Sequence, residues 1–245
     1  MKTQFWAATA ALSAMLIAGA ANAQTNGYVG VSYTDFNVGN DGFHDIGVRA
    51  VGLFDLPKTV ELQLDGDINV VEAGMSFGSW GATAHVFADK GSFRGGAFLG
   101  YSKFLGIDST SYGVEGRVAA SESVSLGLAA GWATVNSGPF SQQLTTLRGE
   151  ASFFQNENLR WDASVTSVKV GAADINTYEL GGEYQMMKSP NSFTFGLKQT
   201  KASGLAINIY SVGVRRTFGG SLKVRDRSGA PFNNINDYSL LVFGG

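Results

Sequence analysis

From Tyr28 onward, apolar and polar side chains alternate one for one in a succession of runs, each closed by a cluster of Gly, Pro, Asn, Asp or Ser. Successive side chains of an extended chain point to opposite sides, so each run is a strand with two chemically different faces. No convincing stretch with the 3.6-residue period of a helix interrupts them. The runs predict strands over 28–37, 43–54, 59–68, 75–88, 92–103, 110–120, 122–135, 142–154, 158–169, 174–187, 191–201, 204–218, 220–227 and 236–243. That is about fourteen, or about twelve if 59–68 and 220–227 do not form strands. Most exceed the ~5–6 residues usual in soluble sheets and suit the ~9–11 needed to cross a bilayer at a tilt. The breaks (VGNDG, DLPK, ADKG, ASES, NSGP, QNEN, VGAAD, KSPN, KASG, GGS) are short, which makes neighbours antiparallel hairpin partners. A meander of this length leaves two raw edges unless its last strand pairs with its first. The expectation is an all-β, transmembrane, antiparallel up-and-down barrel.

The faces sharpen that expectation. In SYGVEGRVAA, Tyr112, Val114 and Val118 share one side and Glu115 and Arg117 the other. In TVELQLDGDI, Val60, Leu62, Leu64 and Ile68 oppose Glu61, Gln63, Asp65 and Asp67; in TYELGGEYQM, Tyr178, Leu180 and Tyr184 oppose Glu179, Glu183 and Gln185. SLGLAAGWA sets Leu126, Leu128 and Trp132 against the very small Ser125, Gly127 and Gly131. A soluble sandwich would turn the apolar sides inward, a barrel in lipid would turn them outward. Only 16% of residues are charged, against ~25% in typical soluble domains. Aromatics gather near segment ends, as interfacial girdles require: Tyr28, Phe54, Trp80, Phe93, Trp132, Trp161, Tyr178 and Phe218. The apolar faces are therefore expected to meet lipid and the charges a lumen.

The candidates for that lumen wall are Arg49, Glu61, Asp65, Arg94, Glu115, Arg117, Arg148, Glu150, Arg160, Asp162, Glu179, Glu183 and Lys198. Glu115 with Arg117, Arg148 with Glu150, and Arg160 with Asp162 are opposite charges two apart on one strand face. Side chains fill a barrel of about eight strands, so a wider one should hold water and act as a pore. Facing arginines and acids then set up a transverse field that screens solutes by size and charge. The alternative is a closed lattice of ion pairs that merely satisfies buried charge. Among the connections, RSGAPFNNIND near the C-terminus is the one long enough to fold in as a constriction.

The N-terminus adds a compartment. MKTQ, the apolar run FWAATAALSAMLIAGA and the small-residue site ANA match a secretory signal cleaved after Ala23, leaving residues 24–245 as the barrel. A lipid-anchored form is excluded by the lack of Cys, which also excludes disulfides and thiolate chemistry. A formal charge of -2 offers no basic face for nucleic acid. The later chain has no run long enough for a spanning helix, so it can cross a membrane only as strands.

Catalytic candidates are few: of the two histidines, His44 and His85, neither has a surrounding motif, and only His85, in WGATAHVFADK, could serve as the base of a lipid-modifying triad. Glu179 and Glu183 could act as an acid and base pair or bind a cation, though as wall residues they need no such role. NDGFHD, with Asp41 and Asp45, could hold a divalent ion but reads better as a turn. No catalytic residue, metal or cofactor is assigned.

The runs VELQLDGD, WGATAHVFADKG, RGGAFLGY, YGVEGRVAASESVSLGLAAGW and GSLKVRDRSGA, over roughly residues 28–230, resemble porin-like outer-membrane proteins of alphaproteobacteria, a largely uncharacterised group. The resemblance implies insertion by the barrel-assembly machinery and passive diffusion as the activity, and it brings no functional residues to transfer. Such barrels finish on an aromatic residue, whereas here YSLLVF is followed by Gly244 and Gly245. The expected function is a porin-like channel of the bacterial outer membrane for small hydrophilic solutes or ions, with outer-membrane lipids around it and homo-oligomerisation open. The alternatives are a structural or adhesive barrel with an ion-pair-filled lumen and a lipid-modifying enzyme.

Overall fold

In the computed structural model, which describes residues 26–39, 41–57, 59–72, 76–202, 204–228 and 232–233, twelve strands close on themselves. They are β1 (Gly27–Val38), β2 (Asp41–Leu56), β3 (Val60–Glu72), β4 (Ser76–Asp89), β5 (Phe93–Phe104) and β6 (Ile107–Ala119), then β7 (Val124–Ser137), β8 (Phe140–Asn156), β9 (Leu159–Val170), β10 (Ala173–Gln185), β11 (Asn191–Ala202) and β12 (Leu205–Phe218). Each pairs antiparallel with its sequence neighbours, and β12 seals the wall by pairing with β1 from Gly27 opposite Phe218 to Val38 opposite Ile207. An even count lets that seam be antiparallel like every other, so no edge is left raw. Both Gly27 and Phe218 lie at one end, called here the near end; the hairpins after β1, β3, β5, β7, β9 and β11 form the far mouth.

The expectation of fourteen strands is corrected by these twelve. The expected strand at 59–68 is β3, but 220–227 is not a strand: it holds a short helix, α1 (Leu222–Ser228). The strand expected at 236–243 and the signal segment 1–23 lie outside the described residues. Two local reasons override the alternation of Leu222 and Val224 with Lys223 and Arg225. Gly219 and Gly220 take φ of 100° and 103°, which breaks the strand where an L side chain would be strained. Ser221 then caps the helix, its hydroxyl accepting from the Val224 amide (3.4 Å) and its carbonyl from that of Arg225 (2.9 Å). Leu222 and Asp226, four apart, share the buried face of α1.

The wall is apolar outside. Val114 is 57% exposed and Leu128 68%, while Arg117 is 7% and Glu183 1% exposed on the opposite face. A soluble sandwich is excluded by this arrangement, since Val114, Val165 and Leu180 face outward rather than meeting in a dry centre. Outward aromatics form two belts. Trp80, Tyr101, Tyr112 and Trp132 stand toward the far mouth, with Tyr112 stacked on Trp132 at 5.9 Å; Phe93, Phe153, Trp161 and Phe218 stand toward the near end. Tyr28 is a correction: β1 turns its even positions inward, and the Tyr28 ring lies under the Arg215 guanidinium at 4.5 Å. Among the described residues no helix is long and apolar enough to cross a membrane.

The small inward face of β7 has a packing cause. A Cβ at Gly131 would meet the Phe98 ring at 2.7 Å, and one at Gly127 would meet the Glu150 side chain at 2.7 Å. Small residues here make room for long inward side chains from neighbouring strands.

Candidate functional site: an ionic lumen with a folded-in floor

All thirteen residues expected on the lumen side occupy inward positions, and the register brings several of them into two ionic layers. Toward the near end Glu183 accepts from Arg160 (3.4 Å), Arg215 (3.0 Å), Arg225 of α1 (3.0 Å) and the Ser192 hydroxyl (2.6 Å), its side chain only 2% exposed. Higher in the wall, Glu150 receives Arg117 and Arg148 (3.1 Å), Glu179 faces Arg148 (3.7 Å) and Lys198 (4.0 Å), and Arg160 donates to Asp162 (2.9 Å). Arg49 stands opposite Asp67 across the β2/β3 ladder. Two of the pairs expected from two-residue spacing form; the third does not. Glu115 turns to His85 Nδ1 (2.6 Å), and Arg117 goes to Glu150 and Asp226.

α1 forms part of the floor. Asp226 accepts from Arg117 Nε (3.0 Å) and Nη2 (2.7 Å) and from the Ser125 hydroxyl (2.6 Å). Burial pushes its carboxyl up, but Arg117, that hydroxyl and Arg160 together outweigh burial and hold it below the usual carboxylate range. Arg94 donates to the carbonyls of Asp226 (3.1 Å) and Arg227, and Arg227 donates to the carbonyl of Ser121 (2.7 Å). Beyond the helix, Phe232 stacks on His85 (5.8 Å) and meets Phe87 edge-on (5.0 Å), while its carbonyl accepts from Gln63 (2.8 Å). Asn233 donates to Glu150 (2.7 Å). Residues of β3 to β8 and β10 thus grip one segment from several sides of the lumen.

Above this floor a cavity of about 640 Å³ extends to Leu105 at the far rim. Among the described residues seven cationic side chains and seven carboxylates line it, so both signs of charge share the wall in equal number.

The other candidates fall elsewhere. His85 is fully buried, its nitrogens facing Glu115 and Asp65 (3.4 Å) rather than a serine hydroxyl. His44 sits on the outer face, paired with Glu72 (3.0 Å) and stacked on Tyr33. Glu179 and Glu183 each meet cations rather than one another. Among the described residues no three acidic or histidine side chains cluster as metal ligands; the Asp41 side chain is outside them. Sequence reasoning missed Arg215, Arg225, Asp226 and Phe232. Arg215 was recoverable from the alternation of β12, Arg225 and Asp226 were hidden by reading 220–227 as wall, and Phe232 lies in RSGAPFNNIND, the connection expected to be long enough to fold in, without having been singled out there.

An outer membrane channel from Pseudomonas putida F1 superposes with a TM-score of 0.65 at 7% identity, over 79% of this chain and 96% of that one. The fold is that of outer-membrane porins. The NanC porin matches with a TM-score of 0.61 at 9% identity, over 78% of this chain and 98% of the other. The KdgM porin, solved in complex with disordered oligogalacturonate, matches at 0.59 and 14% identity, over 78% and 99%. No protein-family model and no curated protein matches the sequence.

Proposed function

We propose that the protein is a porin-like channel of the bacterial outer membrane, through which small hydrophilic solutes or ions diffuse passively. The observation that carries this reading is the closed barrel itself: apolar outside between two aromatic belts, ionic inside, with a cavity large enough for a solute. The superposition on KdgM and NanC, both porins, supports it. In this reading residues 1–23 are removed on export, the barrel-assembly machinery inserts residues 24–245, and the near end with both chain termini faces the periplasm. The thirteen inward charged residues, with Arg215, Arg225 and Asp226, screen what passes. Purified protein in a planar bilayer should give discrete current steps.

A second reading has its own observation. α1 is held across the near end by paired charges and Phe232 by a Gln63 hydrogen bond and ring contacts, the arrangement of a structural barrel whose lumen is filled. No current steps from the native chain in any salt, with steps restored when Asp226 is replaced, would favour it over the open channel.

A further inference from the structure

The far mouth carries an apolar series on its inside, interrupted by Asp45 opposite Val71, where the walls of a purely aqueous channel would be polar. Register places inward apolar residues beside one another from strand to strand: Phe36 lies opposite both Phe43 and Ile209, Val71 opposite Phe77, and Phe104 opposite Ile107. The series continues through Leu144, which faces Ala133 and Val170, and through Val168, which faces Ile175. Every strand contributes, β11 only through the small Ala202, which faces Ile175. The ring has two unlike halves. Over β7 to β9, Ala133, Val135, Leu144 and Val168 are buried at 2 to 6% exposure and pack on one another as a dry cluster that stiffens the wall. Across from it, Phe36, Phe43, Val71, Phe77, Phe104 and Ile207 are only half-buried and line the cavity. Filling the barrel end accounts for the first half and not for the second, an apolar crescent left half-exposed among the described residues, directly above an ionic wall.

We infer that this crescent is a binding site for a small amphipathic organic solute, its apolar ring or chain against Phe36, Phe43 and Phe104 and its hydrogen-bonding group toward the ionic layer. Three observations point to that class. The cavity, about 640 Å³, is within the ~300–1,000 Å³ usual for organic ligands. Among the described lining residues seven cations balance seven carboxylates, so the wall carries no net charge of its own to select an ion, and the crescent adds apolar contact beside hydrogen-bonding groups. An apolar lining also favours a solute that brings apolar surface of its own, because burying both faces releases water. Where the solute passes through, this inference rests on the channel reading; binding at the crescent does not need conduction.

The test uses the full chain in detergent with indole as the probe, an aromatic molecule with one N–H donor. Binding is followed by equilibrium dialysis and planar-bilayer current is recorded in parallel. Saturable binding of indole, weakened at least tenfold in Phe36→Ser/Phe43→Ser and retained in Phe36→Leu/Phe43→Leu, with each variant's fold verified by heat-modifiable gel mobility, supports the site. Binding that is unsaturable, or equal in all three proteins, overturns it, as does no binding at all. Saturable binding with a silent bilayer removes the channel and keeps the crescent; current steps without saturable binding do the reverse.

Discussion

Replacing Asp226 by Asn keeps the shape of the floor and removes the charge that anchors it. The native carboxylate takes two hydrogen bonds from Arg117 and one from Ser125, with its side chain 3% exposed. Stripping one partner from a buried ion pair costs about 3–5 kcal/mol, because the other charge is left without compensation. Arg117 keeps Glu150 and the Ser152 hydroxyl, so the lower end applies. About 3 kcal/mol is roughly a hundredfold shift toward a detached α1. Planar-bilayer recording should then show larger or more frequent steps for the variant, and hydrogen exchange at 222–228 should speed up while the wall stays protected. Acid should have the same effect on the native chain. The Asp226 carboxyl is held below its unfolded value, so its contribution is complete above that value, about 3.9, and is lost as pH falls through the lower folded one. Conductance should rise below about pH 4 in the native protein and change less over that window in Asp226→Asn. Identical currents and identical exchange in the two proteins at neutral pH would refute the idea that this carboxylate holds the floor in place.

Other perturbations probe the wall. Val114→Arg puts a charge on the outward face and should lower stability in lipid by about 2–4 kcal/mol if that position is near the bilayer midplane, measured by denaturant unfolding from vesicles. Glu183→Gln leaves Arg160, Arg215 and Arg225 facing one another, and should both destabilise the barrel by about 3 kcal/mol or more and move the reversal potential in a salt gradient toward anion preference. His85→Ala should leave lipid hydrolysis absent or unchanged, since the ring faces two carboxylates; turnover that disappears with the imidazole would revive the enzyme reading.

What could be read in advance depended on whether one strand held all the information. The inward or outward sense of Glu115, Arg148 or Glu183 follows from period two within its own segment, so lumen and lipid faces were legible. Which charge meets which was not, because Arg117 finds Glu150 two strands away and Asp226 109 positions on. The register that decides this is a property of neighbouring strands. The strand count failed at one place for a definable reason. LKVRDR alternates as well as any wall segment, and only the paired glycines and Ser221 before it mark a helix start. The apolar crescent was hidden differently. On β12 the inward face runs Arg215, Gly213, Ser211 and then changes to Ile209 and Ile207, and on β1 it runs Ser32, Thr34 and then Phe36. A single polarity assigned to a whole strand averages that change away.

The seam between β1 and β12 has a consequence for biogenesis. The residues that obstruct the interior follow immediately after the final staple of the wall, tethered to it by two glycines. The partners of that segment are spread over β3 to β8 and β10, so its full set of contacts exists only when most of the wall is assembled around it. Docking of the floor is thereby a readout of wall assembly.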